Sequence, residues 1–285
     1  MVASLSKSRN FTGLEESGGY PGADQYPETI HPEAASGPIK ILKADMADLR
    51  AALVEGAQDW RACRTDVLVS VVVFPLAAVL LAGLILDRHL LPFVFPICSG
   101  VALLGPAATV WFAALSRQRE LDGVATTDAA AAIFDSPRAG TIKRLAGILI
   151  GLFVLWLLAA GYIYSITLAN APAGKGFFGN LFTTAAGYEM IILGVVVGAV
   201  FALLALALAL VGFQLALDRE MSVGAVINTS FRVALANPVV TLAWGAVVVA
   251  GLAVGTIPAL LGLRVTIPIL GHASWHLYRK LVQAS

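Results

Sequence analysis

Long uncharged apolar stretches constrain the fold of this chain more than any other feature of its sequence. A helix that crosses a bilayer needs about twenty mostly apolar residues. Because backbone polar groups find no water inside lipid, such stretches fold as helices. The sequence therefore predicts an all-α, polytopic membrane helix bundle with six transmembrane helices and additional cytoplasmic amphipathic helices. The six predicted spans are Val67–Leu86, Leu91–Leu115, Leu145–Leu168, Ile191–Leu217, Val239–Gly255 and Ile257–Tyr278.

The division between the last two predicted spans depends on Thr256 and Pro258, which are the local helix breakers at that point. At about 1.5 Å per residue, the undivided run is too long for one crossing. Two separate spans are therefore the preferred interpretation. The alternative is one tilted helix with a re-entrant piece, which leaves five spans.

The overall composition excludes a water-soluble globule. Hydrophobic residues make up 58% of the 285 residues and charged residues 13%, whereas about a quarter of the residues in a soluble domain are charged. A formal net charge of +1 provides no basic surface for nucleic acid. The two cysteines, Cys63 and Cys98, provide neither a disulfide framework nor a repeated metal-ligand pattern. The predicted environment is the lipid bilayer, with no nucleic-acid partner.

The positions of lysine and arginine predict the orientation in the membrane. Most of these residues lie before the first span, between spans two and three, between spans four and five, and after span six. The other loops carry Arg88 and Lys175. Since cytoplasmic loops carry the excess of basic residues, both termini are predicted to be cytoplasmic.

Three regions are predicted along the chain. Residues 1–38 are rich in Gly, Pro, Ser and Glu without periodicity, which is typical of a disordered tail, here cytoplasmic. Residues 39–66 carry an apolar stripe that predicts an amphipathic helix in the interface or against the bundle, interrupted at Gly56. Residues 67–285 form the six-helix transmembrane domain. The stripe consists of Leu42, Met46, Leu49, Leu53 and Trp60.

A second amphipathic helix is predicted between spans four and five, over Ser222–Ala236. Ser222 is suited to cap its start, and Asn237-Pro238 ends it. An interfacial helix on the cytoplasmic face is the expected structure. Its predicted packing side consists of Val223, Val226, Ile227, Ser230 and Val233.

Small residues predict how the helices associate. Lipid tails are as apolar as leucine, so membrane helices associate by close packing at glycine rather than by expelling water. The pattern occurs in three spans, which indicates close packing either within the chain or between copies of it. The three motifs are Gly147-xxx-Gly151, Gly194-xxx-Gly198 and Gly251-xxx-Gly255.

Ionisable groups at depth would indicate transport or redox chemistry, because they are costly in hydrocarbon. The six predicted spans contain no Asp or Glu at depth, and Arg264 is the one formal charge well inside a span. Arg264 is expected to snorkel towards the outer surface or to pair with a carbonyl. The alternative is a role in a polar pathway for a solute.

His272 and His276 are spaced i, i+4 and so lie on one face near the inner end of span six. This spacing can hold a metal ion, with Asp218 and Glu220 as conceivable further ligands. Structural hydrogen bonding is the preferred interpretation, because the metalloprotease glutamate between the histidines is absent and Trp275 stands beside them.

Several short motifs together resemble a known family. They are Leu103-Leu104-Gly105-Pro106, Leu115-Ser116-Arg117, Leu217-Asp218-Arg219, Ser230, Arg232, Asn237-Pro238 and the C-terminal stretch Gly271–Arg279. On these residues the chain resembles the bacterial integral-membrane proteins of domain-of-unknown-function type twenty-one eighty-nine, from about Leu53 to Leu281. The resemblance implies the family's span count and a bacterial inner membrane. It implies no catalytic residue, because the family is uncharacterised.

The sequence supports three hypotheses about function. The first is a non-enzymatic scaffold or accessory subunit of a membrane complex, partnered by another membrane protein or by a second copy. The second is a small-solute channel or carrier that uses Arg264. The third is a haem- or metal-binding accessory protein of respiration that uses His272 and His276. No catalytic or cofactor-binding residue and no cofactor is predicted, since phosphate-binding and nucleophile motifs are missing from the sequence.

Overall fold

A computed structural model describes residues 39–63, 83, 88–169, 171, 175–257 and 260–284. The predictions for the tail 1–38 and, apart from Gly83, for the span Val67–Leu86 lie outside these residues. Within them the protein is all-α except for two strands of three residues each. The helices are α1 (Met46–Cys63), α2 (Val94–Ala108), α3 (Val110–Asp122), α4 (Thr127–Ala132), α5 (Arg138–Ile166), α6 (Gly176–Thr183), α7 (Ala185–Ala209), α8 (Gly212–Asp218), α9 (Val223–Ala236), α10 (Pro238–Thr256) and α11 (Leu263–Leu281), with 3₁₀ helices at Arg88–Phe93 and Ile133–Asp135 and strands β1 (Ile39–Ile41) and β2 (Val282–Ala284).

Three described helical segments are long and apolar enough to cross a membrane. Arg138–Ile166 corresponds to the third predicted span, Ala185–Asp218 to the fourth and Pro238–Thr256 to the fifth. Large apolar side chains on these helices, such as those of Leu158 and Ile192, are exposed, as lipid-facing side chains are in a membrane helix. The protein is therefore an integral membrane protein with several apolar helices.

Two other predicted spans have different boundaries in the structure. The segment Leu91–Leu115 is divided between a 3₁₀ helix, α2 and α3, with a break at Thr109. The Thr109 hydroxyl donates to the Pro106 carbonyl at 3.0 Å, so Pro106 lies beside the break. The sixth predicted span begins as a helix at Leu263 rather than at Ile257.

The fourth predicted span is broken between α7 and α8 by a side chain from another helix. The Ser230 hydroxyl, on α9, lies 2.7 Å from the Ala207 carbonyl oxygen and 3.0 Å from that of Leu208. It also accepts a hydrogen bond from the Val211 N–H at 3.4 Å. Insertion of a side chain into the backbone ladder is an established cause of such breaks. Helix α9 is confirmed at its predicted position, and Ser222 caps it by accepting from the Ala225 N–H.

The N-terminal segment differs most from prediction. Ile39–Ile41 forms β1 and pairs antiparallel with β2, so the helix begins only at Met46. Gly56 does not interrupt α1, which continues to Cys63. The predicted apolar stripe is also partly wrong, because Met46 is 53% exposed. The face of α1 that is buried consists of Leu49, Ala52, Gly56 and Asp59.

The glycine motifs divide into two kinds. A β-carbon on Gly255 would lie 2.7 Å from the Leu263 side chain, and one on Gly251 would lie 3.2 Å from Leu270. These two glycines therefore let α10 and α11 approach closely. A β-carbon on Gly198 would lie 3.1 Å from the Trp156 ring, which brings α7 close to α5. By contrast, the β-carbon positions of Gly147, Gly151 and Gly194 have no described heavy atom within 4 Å.

One end of the bundle, called the base below, consists of α1, α3, α8, α9 and the Gly271–Leu281 half of α11. Helix α1 packs along this half of α11, which also contacts α3 and α8. Apolar burial is the main driving force for such packing. The large side chains that are almost completely buried here are Leu49, Leu115, Phe213, Leu215, Leu217, Trp275, Leu277, Tyr278 and Leu281.

Candidate functional site

A buried polar network lies in the base where α1, α3 and α11 meet. It consists of Glu55, Asp59, Ser116, Arg119, His272 and His276 and is called the Asp59 network below. Asp59 and Ser116 are buried, and His272 has no exposed surface. Polar groups in such surroundings are costly unless they are hydrogen-bonded.

Asp59 is the common acceptor of the network. Its Oδ2 atom lies 2.6 Å from the Ser116 hydroxyl and 2.8 Å from His276 Nε2. Its Oδ1 atom lies 3.5 Å from Arg119 Nε. Three donors from two other helices therefore converge on one carboxylate of α1, which ties α1 to both α3 and α11.

The proton positions follow from counting donors and acceptors. An ionised carboxylate only accepts, so Ser116 must donate its single proton to Asp59. His272 Nδ1 lies 2.8 Å from the same hydroxyl oxygen, and this nitrogen must then be the donor. The chain of hydrogen bonds runs from His272 through Ser116 to Asp59. Ser116 is therefore not activated by a histidine base in the way that a nucleophilic serine is.

The His276 ring lies between two carboxylates of α1. Nε2 is 2.8 Å from Asp59 Oδ2, and Nδ1 is 3.3 Å from Glu55 Oε2. Glu55 and Asp59 are one helical turn apart, so both side chains project from the same face of α1. Only an imidazolium, which has an N–H on each ring nitrogen, can donate to both carboxylates.

The pKa of Asp59 lies below its ordinary value. Burial acts to raise this pKa, but the hydrogen bond and charge of His276 and the hydrogen bond from Ser116 act in the opposite direction and outweigh it. Asp59 is thus ionised in the folded protein at neutral pH, in agreement with its role as an acceptor.

Further ion pairs surround the network. Asp218 accepts from the Tyr278 hydroxyl at 2.8 Å and pairs with Arg117 at 3.3 Å. Glu120 accepts from the Trp275 indole N–H at 2.7 Å and pairs with Arg279 at 2.9 Å. The contacts of Asp218 join α8 to α11 and to α3, and those of Glu120 join α3 to α11. The polar contacts of the base therefore link the same helices that its apolar core links.

His272 and His276 are brought into one network, but not with the carboxylates that were considered as further metal ligands. Asp218 pairs with Arg117 and Tyr278, and Glu220 is exposed. Among the described residues, no group of three or more His, Cys, Asp or Glu side chains is placed to hold a metal ion. The contacts of both imidazoles correspond to the hydrogen-bonding interpretation.

Arg264 lies far along α11 from this network. It is in the first turn of α11, half-buried, because the helix starts later than predicted. The depth of Arg264 within a span stays a prediction. Cys63 and Cys98 are free thiols.

Asp59, Ser116 and Glu55 were not predicted as site residues. The sequence does indicate that Asp59 lies on the packing face of α1. The spacing of one helical face is followed by Leu49, Ala52, Gly56 and Asp59. Two small residues and an acid on that face favour packing against a protein surface over contact with lipid. Ser116 carries no comparable local signal, since its partners come from distant parts of the chain.

Comparison with known proteins identifies one family. Residues 94–218 match the family described as "Predicted integral membrane protein (DUF2189)". The match contains α2 to α8, and the C-terminal stretch Gly271–Arg279 that contributed to the resemblance lies beyond it. No curated protein and no solved structure matches the chain. Over residues 94–218 the chain is thus similar to the predicted integral membrane proteins of the family DUF2189.

Proposed function

We propose that this protein is a six-span protein of the bacterial inner membrane that acts, without enzymatic activity, as a scaffold or accessory subunit of a membrane complex. Its base is the cytoplasmic platform on which a partner protein or a second copy assembles. The observation that carries the proposal is the Asp59 network, which joins an N-terminal helix to the C-terminal helix.

The placement of both termini on one side is supported by the strand pairing. Ile39 pairs with Ala284 and Ile41 with Val282, so the two ends of the described chain lie side by side. An even number of crossings between them agrees with this pairing. The excess of lysine and arginine at this end supports a cytoplasmic location.

The helix directions agree with repeated crossing of one membrane. The Thr141 hydroxyl, near the start of α5, donates to the Met221 carbonyl just beyond α8 at 2.9 Å. Helix α5 therefore leaves the base and α7–α8 returns to it. Asn237, at the start of α10, donates to the Leu42 carbonyl at 3.0 Å, and α11 ends in the base beside β1.

The scaffold role is supported by the pairing of charged side chains within the base. Charged side chains on α1, α3, α8 and α11 are paired with one another within the protein. Paired and partly buried charges favour one arrangement of helices over others. A rigid surface of this kind binds a partner without the entropic cost of ordering itself.

Two labelling positions test the orientation in a variant with serine at Cys63 and Cys98. One cysteine replaces exposed Arg232 on α9, and the other replaces exposed Phe178 on α6. We expect a membrane-impermeant maleimide to label position 178 in spheroplasts and position 232 only after the membrane is opened. Labelling of both positions, or of position 232 alone, in closed spheroplasts would contradict the orientation.

The assembly role is tested by a photo-crosslinking amino acid at position 232 in living cells. We expect one discrete adduct, either a dimer of this chain or a complex with one membrane protein, that is missing when the crosslinker replaces lipid-facing Leu158. A protein recovered alone from both positions would exclude the scaffold role. Solute flux into liposomes that Arg264→Ala alters would support a carrier instead.

A further inference from the structure

The His276 ring is bound by two groups that can only accept hydrogen bonds. Nδ1 faces Glu55 and Nε2 faces Asp59. A neutral imidazole has one N–H, so it can donate to one carboxylate and must present a lone pair to the other. Loss of a single proton therefore converts one attractive contact of α1 into a repulsive one.

The charged groups around His276 come from α1, α3 and α11. From α1, Glu55 and Asp59 favour the imidazolium. Lys280 of α11 pairs with Glu55 at 2.9 Å, and Arg119 of α3 lies 3.5 Å from Asp59. Each of the two carboxylates therefore has a permanent cation as a second partner. Ser116 donates to Asp59, and His272 lies 2.8 Å from the Ser116 hydroxyl.

The rest of α1 is held by contacts that do not titrate with a histidine. Leu49 and Ala52 are buried, Gly56 packs against Ala273, and β1 pairs with β2. The side-chain amide of Asn237 donates to the Leu42 carbonyl, and its oxygen accepts from the Ala44 N–H. Deprotonation of His276 would therefore loosen the last turns of α1, residues 57–63, and leave its start in place.

We propose that Glu55, His276 and Asp59 form a proton-binding site that latches the C-terminal end of α1 to α11. With the proton bound, the imidazolium bridges both carboxylates and the latch is closed; without it, residues 57–63 open locally. This end of α1 leads directly into the residues before the first predicted span, Val67–Leu86. The site would couple the proton concentration of the surrounding compartment to the end of α1. It rests on the proposed function only in naming that compartment as the cytoplasm.

The test is hydrogen–deuterium exchange of the full-length protein in nanodiscs of phosphatidylethanolamine and phosphatidylglycerol. Exchange is followed over a pH series and corrected for the intrinsic pH dependence of amide exchange. We expect protection of amides 57–63 to fall by about tenfold or more from the acid to the alkaline end of the series, as for loss of one charge-assisted hydrogen bond. Amides of α9 are the internal reference and should show no such fall.

Two variants separate the latch from a general loss of stability. In His276→Lys a permanent cation replaces the imidazolium, and protection of residues 57–63 should stay high across the series. In His276→Gln no charge is available, and protection should be reduced and independent of pH. His89→Gln, in the 3₁₀ helix before α2, is the matched control. Protection of residues 57–63 in this variant should depend on pH as it does in the unmodified protein.

The outcomes either support or overturn the proposal. Protection of residues 57–63 that does not change with pH in the unmodified protein would overturn it, as would an unaltered pH dependence in His276→Lys. The exchange measurement does not depend on membrane orientation or on a partner. A closed latch in a protein with the opposite orientation would therefore contradict the proposed function and leave the proton site intact.

Discussion

The backbone of Gly56 in α1 lies so close to Ala273 in α11 that a β-carbon on residue 56 would come within 2.5 Å of the Ala273 nitrogen. Real side chains do not adopt such contacts, and the obstructing atoms belong to backbone that cannot rotate away. Glycine at this position is therefore required for the helix crossing, and the helix propensity lost at Gly56 is offset by packing. The crossing also brings Asp59 and Glu55 to His276.

Gly56→Ala is predicted to destabilise the base. The added methyl group must push α1 away from α11, and we expect a loss of about 1–3 kcal/mol in the free energy of unfolding, as for other overpacked cores. Unfolding in mixed micelles of a mild detergent and SDS measures the change. Gly224→Ala in α9 is the matched control, since its β-carbon would meet no described atom within 4 Å. An equal loss in both variants would contradict the packing role of Gly56.

Asp59→Asn is predicted to be more damaging than its conservative shape suggests. Ser116, His276 and Arg119 would lose their shared charged acceptor. We expect a loss of about 3 kcal/mol, typical of breaking a buried ion pair from one side. The same unfolding assay should show less than about 0.5 kcal/mol for Asp122→Asn, which changes an exposed carboxylate at the end of α3. A small effect at both positions would show that the Asp59 network does not stabilise the base.

Acid is predicted to destabilise the protein through Asp59. Because the folded-state pKa of Asp59 lies below its ordinary value, the unfolded chain binds the proton more tightly than the folded one. The stabilisation is fully present above the unfolded-state pKa and is lost as pH falls through the folded-state pKa. The free energy of unfolding measured against pH in the acid range should therefore fall less steeply in Asp59→Asn. Identical slopes in the two proteins would show that another group is responsible.

Ser230→Ala is predicted to destabilise the junction of α7 and α8. The hydroxyl is buried and bonds backbone groups of Ala207, Leu208 and Val211. We expect a loss of about 1–3 kcal/mol, the cost of leaving buried polar groups without a partner. Unfolding in micelles and exchange of amides 207–212 measure it. Asn228→Ala on the exposed side of α9 is the control, and comparable effects of the two substitutions would exclude a specific role for Ser230.

The sequence was sufficient for the membrane character and for several helices. An apolar run such as Leu145–Leu168 folds as a helix in lipid, because an unpaired backbone group is costly there and a helix satisfies its backbone hydrogen bonds within the segment. The two ends of α9, at Ser222 and at Asn237-Pro238, could likewise be predicted from the sequence, since capping depends on neighbouring residues alone. The histidine pair was placed on one helix face by the same local geometry.

Only the tertiary structure decided where those helices end and what their polar residues contact. The break between α7 and α8 depends on Ser230, which comes from a different helix. Asp59 contacts His276 where α1 crosses α11. The hydrophobic periodicity of the sequence does not predict a contact between residues so far apart in the chain. Local sequence determines helices because their hydrogen bonds are local. The Asp59 network depends on long-range packing, where a glycine expected to break a helix instead lets two helices touch.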